Sequence, residues 1–147
     1  MNDLPQEWRR GTLAVSTDRS RLNLDAALGL LRATRWAASM TRDGLARAVE
    51  ESITFAMHDG ADLVGLARVV TDRSTYGYLT DVIIAEGRRG QGLGRWLVEC
   101  VLDHRDLQTL RRLTLLTAEA PWLYEKFGFS PLTGPSAYME IKGHVRR

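Results

Sequence analysis

Cysteine is almost absent from this chain. Cys100 is the single one in 147 residues, so no disulfide can close within the chain and no zinc site can rest on several thiolates. A reducing compartment suits such a sequence. Lysine is scarce too, with only Lys126 and Lys142 among the twenty basic residues. Guanidinium groups stay charged and can grip phosphate bidentately, although the bias of the encoding genome is the plainer source of so much arginine. Eighteen acids leave a net charge of +2 with the signs interleaved, which speaks against a nucleic-acid partner. No apolar run approaches the ~20 residues of a membrane span, and Met1-Asn2-Asp3-Leu4-Pro5 carries neither a basic nor an apolar leader region. The expectation is a cytoplasmic protein without a membrane partner. Repeats, low-complexity tracts and linkers are missing as well, so a single domain over residues 1–147 is expected. His58, His104 and His144 stand apart with no metal-ligand spacing, and no metal is expected.

What is present reads as strands and helices in alternation. Thr12 to Thr17 alternates weakly and is expected to form the first strand. Asn23 or Asp25 then caps a helix carrying Leu24, Leu28 and Leu31, and Thr41 opens a second helix with Leu45 and Val49 on one stripe. Ile53 to His58 and Leu63 to Val70, joined through Asp59-Gly60, read as a hairpin. Tyr78 to Ile84 is nearly continuous in apolar and β-prone residues, as a central strand would be. In the helical run that follows, Cys100 shares a stripe with Leu93, Trp96, Leu97 and Val101. It reads as a small core residue, with no basic neighbour to lower its pKa. Arg112 to Thr117 is the next strand, which makes a β-α-β unit and a parallel pair. Pro121 starts a short helix holding Tyr124, Gly128 ends it, and Phe127–Pro131 and Tyr138–Lys142 are strand candidates. The class expected is α+β with a mixed sheet.

Between the central strand and its helix lies Arg89-Gly90-Gln91-Gly92-Leu93-Gly94. Glycines keep side chains away from the backbone, and the free N–H groups of a helix's first turn point at whatever anion docks there. The turn is therefore a candidate pyrophosphate cradle; the plainer alternative is a glycine-rich helix cap. Two phosphate motifs fail. The dinucleotide pattern G-x-G-x-x-G would need glycine at Arg95 or Leu97, and a P-loop would need glycine at Arg95 and lysine at Trp96.

Arg89-x-x-Gly92-x-Gly94 resembles instead the Arg/Gln-x-x-Gly-x-Gly/Ala signature of the GNAT superfamily of N-acetyltransferases. Further on, Ala120-Pro121-Trp122-Leu123-Tyr124-Glu125-Lys126-Phe127-Gly128-Phe129 resembles a second segment of that family, in the expected order. The resemblance implies the GNAT acyl-CoA N-acyltransferase fold, an α+β three-layer α/β/α arrangement whose mixed central sheet splays to admit acetyl-coenzyme A. It implies that Arg89, Gly90, Gln91, Gly92, Leu93, Gly94 and Arg95 hold the pyrophosphate, and that main-chain groups of Val82, Ile83 and Ile84 meet the pantetheine arm and thioester. Tyr124 matches the residue that protonates the departing thiolate, against the alternative of a packed aromatic. Asp81, an acid in an apolar strand, is either a general base or a structural acceptor for backbone or arginine donors. Thr117 stands seven residues before Tyr124, where many members carry a pantetheine-contacting asparagine.

The implied activity is acetyl transfer from acetyl-coenzyme A to a primary amine, by direct attack in a ternary complex. A non-catalytic coenzyme A-sensing or partner-binding module of the same fold is the rival reading. The acceptor is a small-molecule or protein amine that the sequence does not identify. Trp36, Tyr76, Tyr78 and Trp122 are candidates to line its pocket or, more plainly, core aromatics. A homodimer is compatible with the family.

Overall fold

A computed structural model describes residues 4–143. The chain forms two compact units, one ending at Leu116 and the other beginning at Thr117. The first holds a six-stranded sheet in the order β1-β2-β3-β4-β5-β6, built from Glu7–Arg10, Leu13–Ser16, Ile53–Asp59, Asp62–Thr71, Tyr76–Ile84 and Arg112–Leu115. Only the β5–β6 pair is parallel; the others are antiparallel.

Helices α1 (Leu24–Arg32) and α2 (Arg42–Glu50) lie between β2 and β3. Each begins where the sequence signals it. The Asn23 side chain accepts from Ala26 N–H at 3.0 Å, and Thr41 Oγ1 accepts from Gly44 N–H at 3.0 Å. Such caps satisfy first-turn donors and stabilise a helix by about 0.5–2 kcal/mol. Ala27, Leu28, Leu31, Leu45 and Val49 pack with Leu66 of β4 and Ile83 of β5 on one sheet face. Phe55 pairs with Ala67 and so points to the opposite face, where it meets His104 just past α3 (Leu93–Asp103) at 5.6 Å between ring centroids. The result is three layers, with a mixed sheet between α1/α2 and α3.

The first strand differs from expectation. Leu13–Ser16 is the second strand, preceded by β1 across a turn at Gly11, whose φ of 60° favours glycine. β1 reads Glu-Trp-Arg-Arg and is mostly exposed, so it lacks the apolar alternation that marks a strand. In the second unit, α4 (Pro121–Glu125) starts on a proline and is followed by Gly128 at φ 96°. The strands expected at Phe127–Pro131 and Tyr138–Lys142 do not form: no ladder occurs from 126 to 143. Alternation is not sufficient for a strand, which also needs a neighbour for its backbone groups. Here Leu132, Tyr138, Met139 and Ile141 are exposed, and Gly134 at φ 121° breaks the run.

Candidate functional site

The two halves of β5 are built differently. Tyr76, Gly77, Tyr78 and Leu79 pair in register with Arg112, Leu113, Thr114 and Leu115 of β6. β6 stops there, so residues 80–84 of β5 have no β6 partner. On the other side the β4–β5 register shifts. Leu66 faces Ile83 and Arg68 faces Thr80, which leaves Ala67 opposite two residues, Asp81 and Val82. That is a β-bulge, which bends a strand and breaks its ladder locally. Ala85 donates its N–H to Val64 of β4 at 2.8 Å. By the alternation of an antiparallel ladder, Ile83 also turns its backbone toward β4, while Val82 and Ile84 turn theirs to the open edge. The Ile84 carbonyl, on that edge, accepts from Arg89 Nε at 3.1 Å. Ile83 places its side chain in the α1/α2 core.

Asp81 sits at the bulge with φ 56°, a left-handed conformation for a residue that has a Cβ. Such a conformation costs on the order of 1–3 kcal/mol and persists only where surroundings enforce it. The enforcement is visible. Arg68 Nε bonds Asp81 Oδ2 at 3.1 Å, with the two side chains only 14% and 6% exposed. Arg68 Nη1 also donates to Ser52 Oγ at 3.3 Å, and that hydroxyl donates to the Ala48 carbonyl in the last turn of α2. The Asp81 carboxylate thus accepts from an arginine, one of the donors that its structural reading named. Arg68 escaped the sequence reading, although a lone arginine in Leu63-Val64-Gly65-Leu66-Ala67-Arg68-Val69-Val70 was its signal.

Beyond β5 the chain makes a short 3-10 turn at Glu86–Arg88 and enters α3 through Gly90 and Gly92, at φ 78° and 75°. Both angles are left-handed, and a glycine adopts them without the clash a Cβ brings. Gly92 is the N-cap of α3 and offers no capping side chain. The first-turn amides of Leu93, Gly94 and Arg95 therefore keep free N–H groups, as the first turn of any helix does until something caps it. Leu93 is buried and anchors the turn, whereas Arg89, Gly90, Gln91, Gly92 and Arg95 are exposed. Arg88 ties the loop to Asp59 at the end of β3, at 3.0 Å. A hydrogen bond from Thr12, and then the Arg88 guanidinium, hold the Asp59 carboxyl below its usual range. Arg95 forms an i,i+4 pair with Glu99 at 3.5 Å.

In the second unit, Tyr124 is buried and its ring meets Phe129 edge-on, 5.9 Å between centroids. Burial pushes its phenol above the ordinary tyrosine range, so it stays protonated, and able to donate, at neutral pH. Thr117 is exposed, and its Oγ1 accepts from Ala120 N–H at 3.1 Å. The hydroxyl keeps its own proton to donate.

The remaining candidates are dispersed. Trp36 and Trp122 are mostly exposed, and Lys126 lies over the Trp122 ring. Tyr76 hydroxyl bonds Thr114 Oγ1, and Tyr78 is half-buried. Cys100 is buried, and desolvation pushes its thiol up to about 12, which leaves it an inert core residue. His104 is packed in the core with Nδ1 accepting from Asp106 N–H; His58 is half-buried, and burial lowers its pKa. His144 lies outside the described residues. Among the described residues no three His, Cys, Asp or Glu side chains gather as a metal site, and no helix is long and apolar enough to cross a membrane.

The open mixed sheet, with a bulged β5 running into a glycine turn, agrees with the folds of solved acetyltransferase-family proteins. The Acetyltransferase (GNAT) domain family matches residues 50–131, and the chain belongs to that family. A Gibberella zeae protein named "Putative acetyltransferase" is 34% identical over 143 residues, spanning 83% of this chain and 81% of that one. A solved structure from Xanthomonas campestris pv. campestris, of a protein described as belonging to the GNAT family, superposes with a TM-score of 0.85. It is 36% identical and covers 89% of this chain and 93% of that one. A Mycobacterium tuberculosis structure in complex with CoA and NLQ has a TM-score of 0.68 and 23% identity, covering 84% of this chain and 75% of that one. At that identity the likeness is one of fold.

Proposed function

We propose that this GNAT acetyltransferase moves the acetyl group of acetyl-coenzyme A to a primary amine, small-molecule or protein, in a ternary complex. The observation that carries the reading is a pair of backbone donor groups, one at each end of the connection from β5 to α3. The first end is the edge of β5 at Val82 and Ile84 and the second is the uncapped first turn of α3, while the amides of Ala85, Arg88 and Arg89 between them are bonded locally. A diphosphate takes the second end, with Arg89, Gly90, Gln91, Gly92, Leu93, Gly94 and Arg95 around it. Each charge-assisted amide bond contributes about 1.5–3 kcal/mol. The pantetheine amides and the thioester carbonyl take the first end, where Val82 and Ile84, rather than Ile83, supply the main-chain groups. An N–H aimed at that carbonyl stabilises the oxyanion that forms as the amine attacks.

Direct attack is favoured over an acyl-enzyme because the one thiol, Cys100, is buried and its pKa is pushed up to about 12. The amine attacks in its neutral form, and its proton leaves to water. Tyr124 donates to the coenzyme A sulfur as the C–S bond breaks. Thr117, by its hydroxyl proton, replaces part of the usual asparagine contact with pantetheine. Asp81 is assigned to holding the bulge. We read the two units as parts of one catalytic domain, and the reducing environment that suits a lone thiol as the cytoplasm.

The test is thermal denaturation with acetyl-coenzyme A against ATP and NAD, followed by thiol release with a panel of amines. At ~100 times the dissociation constant, bound cofactor stabilises by about 2.7 kcal/mol. A shift with acetyl-coenzyme A alone, plus amine-dependent thiol release, supports the reading; no shift removes it. The bond that the Asp81 carboxylate already accepts from Arg68 favours, as second reading, a coenzyme A-sensing module. A shift without thiol release from any amine would select it.

A further inference from the structure

Two features of the β5 bulge are not explained by packing alone. A non-glycine residue, Asp81, holds φ 56° in the middle of a strand. Its carboxylate is clamped by Arg68, which reaches from β4 and is itself held through Ser52 to the last turn of α2. Arg68 stands opposite Thr80 on one side and opposite Thr54 on the other, so its backbone is fixed within the most extensively paired part of the sheet. The Thr54 hydroxyl, buried next to it, has no partner among the described residues, so this polar cluster sits within otherwise apolar surroundings. A buried ion pair is an uneconomical way to stabilise a sheet, because hydrophobic residues of similar volume usually serve as well. It is an effective way to fix one geometry.

We propose that Arg68 is a positioning residue for acetyl transfer: by gripping Asp81 it locks the left-handed turn of the bulge and so aims the backbone of Val82 and Ile84 at the thioester. The inference rests on the reading of β5 as the thioester-holding edge. Arg68 touches no reacting atom. It acts through one carboxylate, and its loss lets the bulge relax toward a regular ladder, turning the Val82 amide by part of a residue's pitch. Misplacement of about 1 Å costs on the order of 10²-fold in rate. The diphosphate cradle is built separately, from Gly90, Gly92 and α3, so cofactor affinity should fall far less than kcat, by no more than the pantetheine contacts at Val82 and Ile84 supply.

The experiment compares full-length wild type with Arg68→Met, Arg68→Lys, Asp81→Asn, Asp81→Ala and the double variant Arg68→Met/Asp81→Gly. Coenzyme A affinity is read by calorimetry, and kcat and KM by thiol release. Arg68→Met should lose at least about tenfold in kcat, with coenzyme A affinity within about threefold of wild type; Arg68→Lys, which keeps the charge, should recover part of it. Asn tolerates the left-handed region and still accepts from Arg68, so Asp81→Asn should retain about tenfold more kcat than Asp81→Ala. A general base at 81 would lose equally in both. The double variant removes both buried charges and puts glycine where φ is positive, which keeps it folded when single variants are not. Wild-type kcat in that variant overturns the proposal, because the turn would then need no clamp. Loss of coenzyme A affinity in step with kcat also overturns it, in favour of a purely structural pair. Wild type that releases no thiol with any amine fails the functional reading itself, and the inference with it.

Discussion

The first and second halves of β5 share one strand and do opposite work. Residues 77–79 are paired on both sides, and Leu79 is almost wholly buried. Residues 80–84 are bulged on one side and open on the other. Where every backbone group is satisfied within the sheet, a side chain contributes stability and little else. Where the ladder is interrupted, the proposed function assigns the same main chain to recognition. On that proposal, chemistry is located by unfinished hydrogen bonding rather than by reactive side chains.

Substitutions on the two halves should therefore separate stability from activity. Leu79→Ala, in the closed half, is expected to cost about 2–5 kcal/mol in urea unfolding while the folded fraction keeps its kcat. A fall in kcat per folded molecule would show that the halves are not independent. Tyr124→Phe probes the reverse case. It should lower kcat about 10²-fold, or roughly 2.7 kcal/mol in activation free energy, with the melting temperature little changed. Unchanged turnover would take Tyr124 out of the mechanism.

Smaller effects sharpen the comparison at the glycine turn. Gly92→Ala places a Cβ at φ 75° and should destabilise by about 1–2 kcal/mol while weakening coenzyme A. Gly94→Ala lies inside α3, where its Cβ would first meet Ile84 Cγ1 at 3.8 Å, an ordinary contact. It should gain up to about 1 kcal/mol from helix propensity, checked by the same unfolding curves. The smallest effect is one of pH. Burial raises the Tyr124 phenol in the folded state, so its contribution is complete below the ordinary value of 10.0 and is lost as pH climbs from there through the folded pKa. Alkaline unfolding should be less steep in Tyr124→Phe than in wild type; equal slopes would mean that the phenol ionises freely in the native state.

Local chemistry was legible in the sequence, as was the parallel β5–β6 pair across α3, but the other long-range pairings were not. Asn23, Thr41, Pro121 and the left-handed Gly92 announce their helices because caps act over three or four residues. The β3–β4 hairpin follows from Asp59-Gly60 for the same reason. β1 was missed because its strand character comes from pairing with β2 rather than from its own side chains. The bulge at Asp81 was illegible because a register shift is a property of two strands. The partner of Asp81 was hidden in the same way: Arg68 is thirteen residues away, and only the antiparallel return of β5 brings them together. At the far end the error ran the other way. Tyr138 to Lys142 has strand-like alternation but forms no ladder among the described residues.

The strand order of the sheet is also the order of the chain. During synthesis, each strand that emerges finds its neighbour already made, and no earlier gap has to be held open for a later arrival. Such an ordering keeps pairings close in sequence and limits the time that a bare edge is exposed to other nascent chains. It also sets a schedule for the growing polypeptide. β1 to β4 can pair before the bulge, the glycine turn and β6 have left the ribosome, so the elements proposed to hold the cofactor join the sheet last.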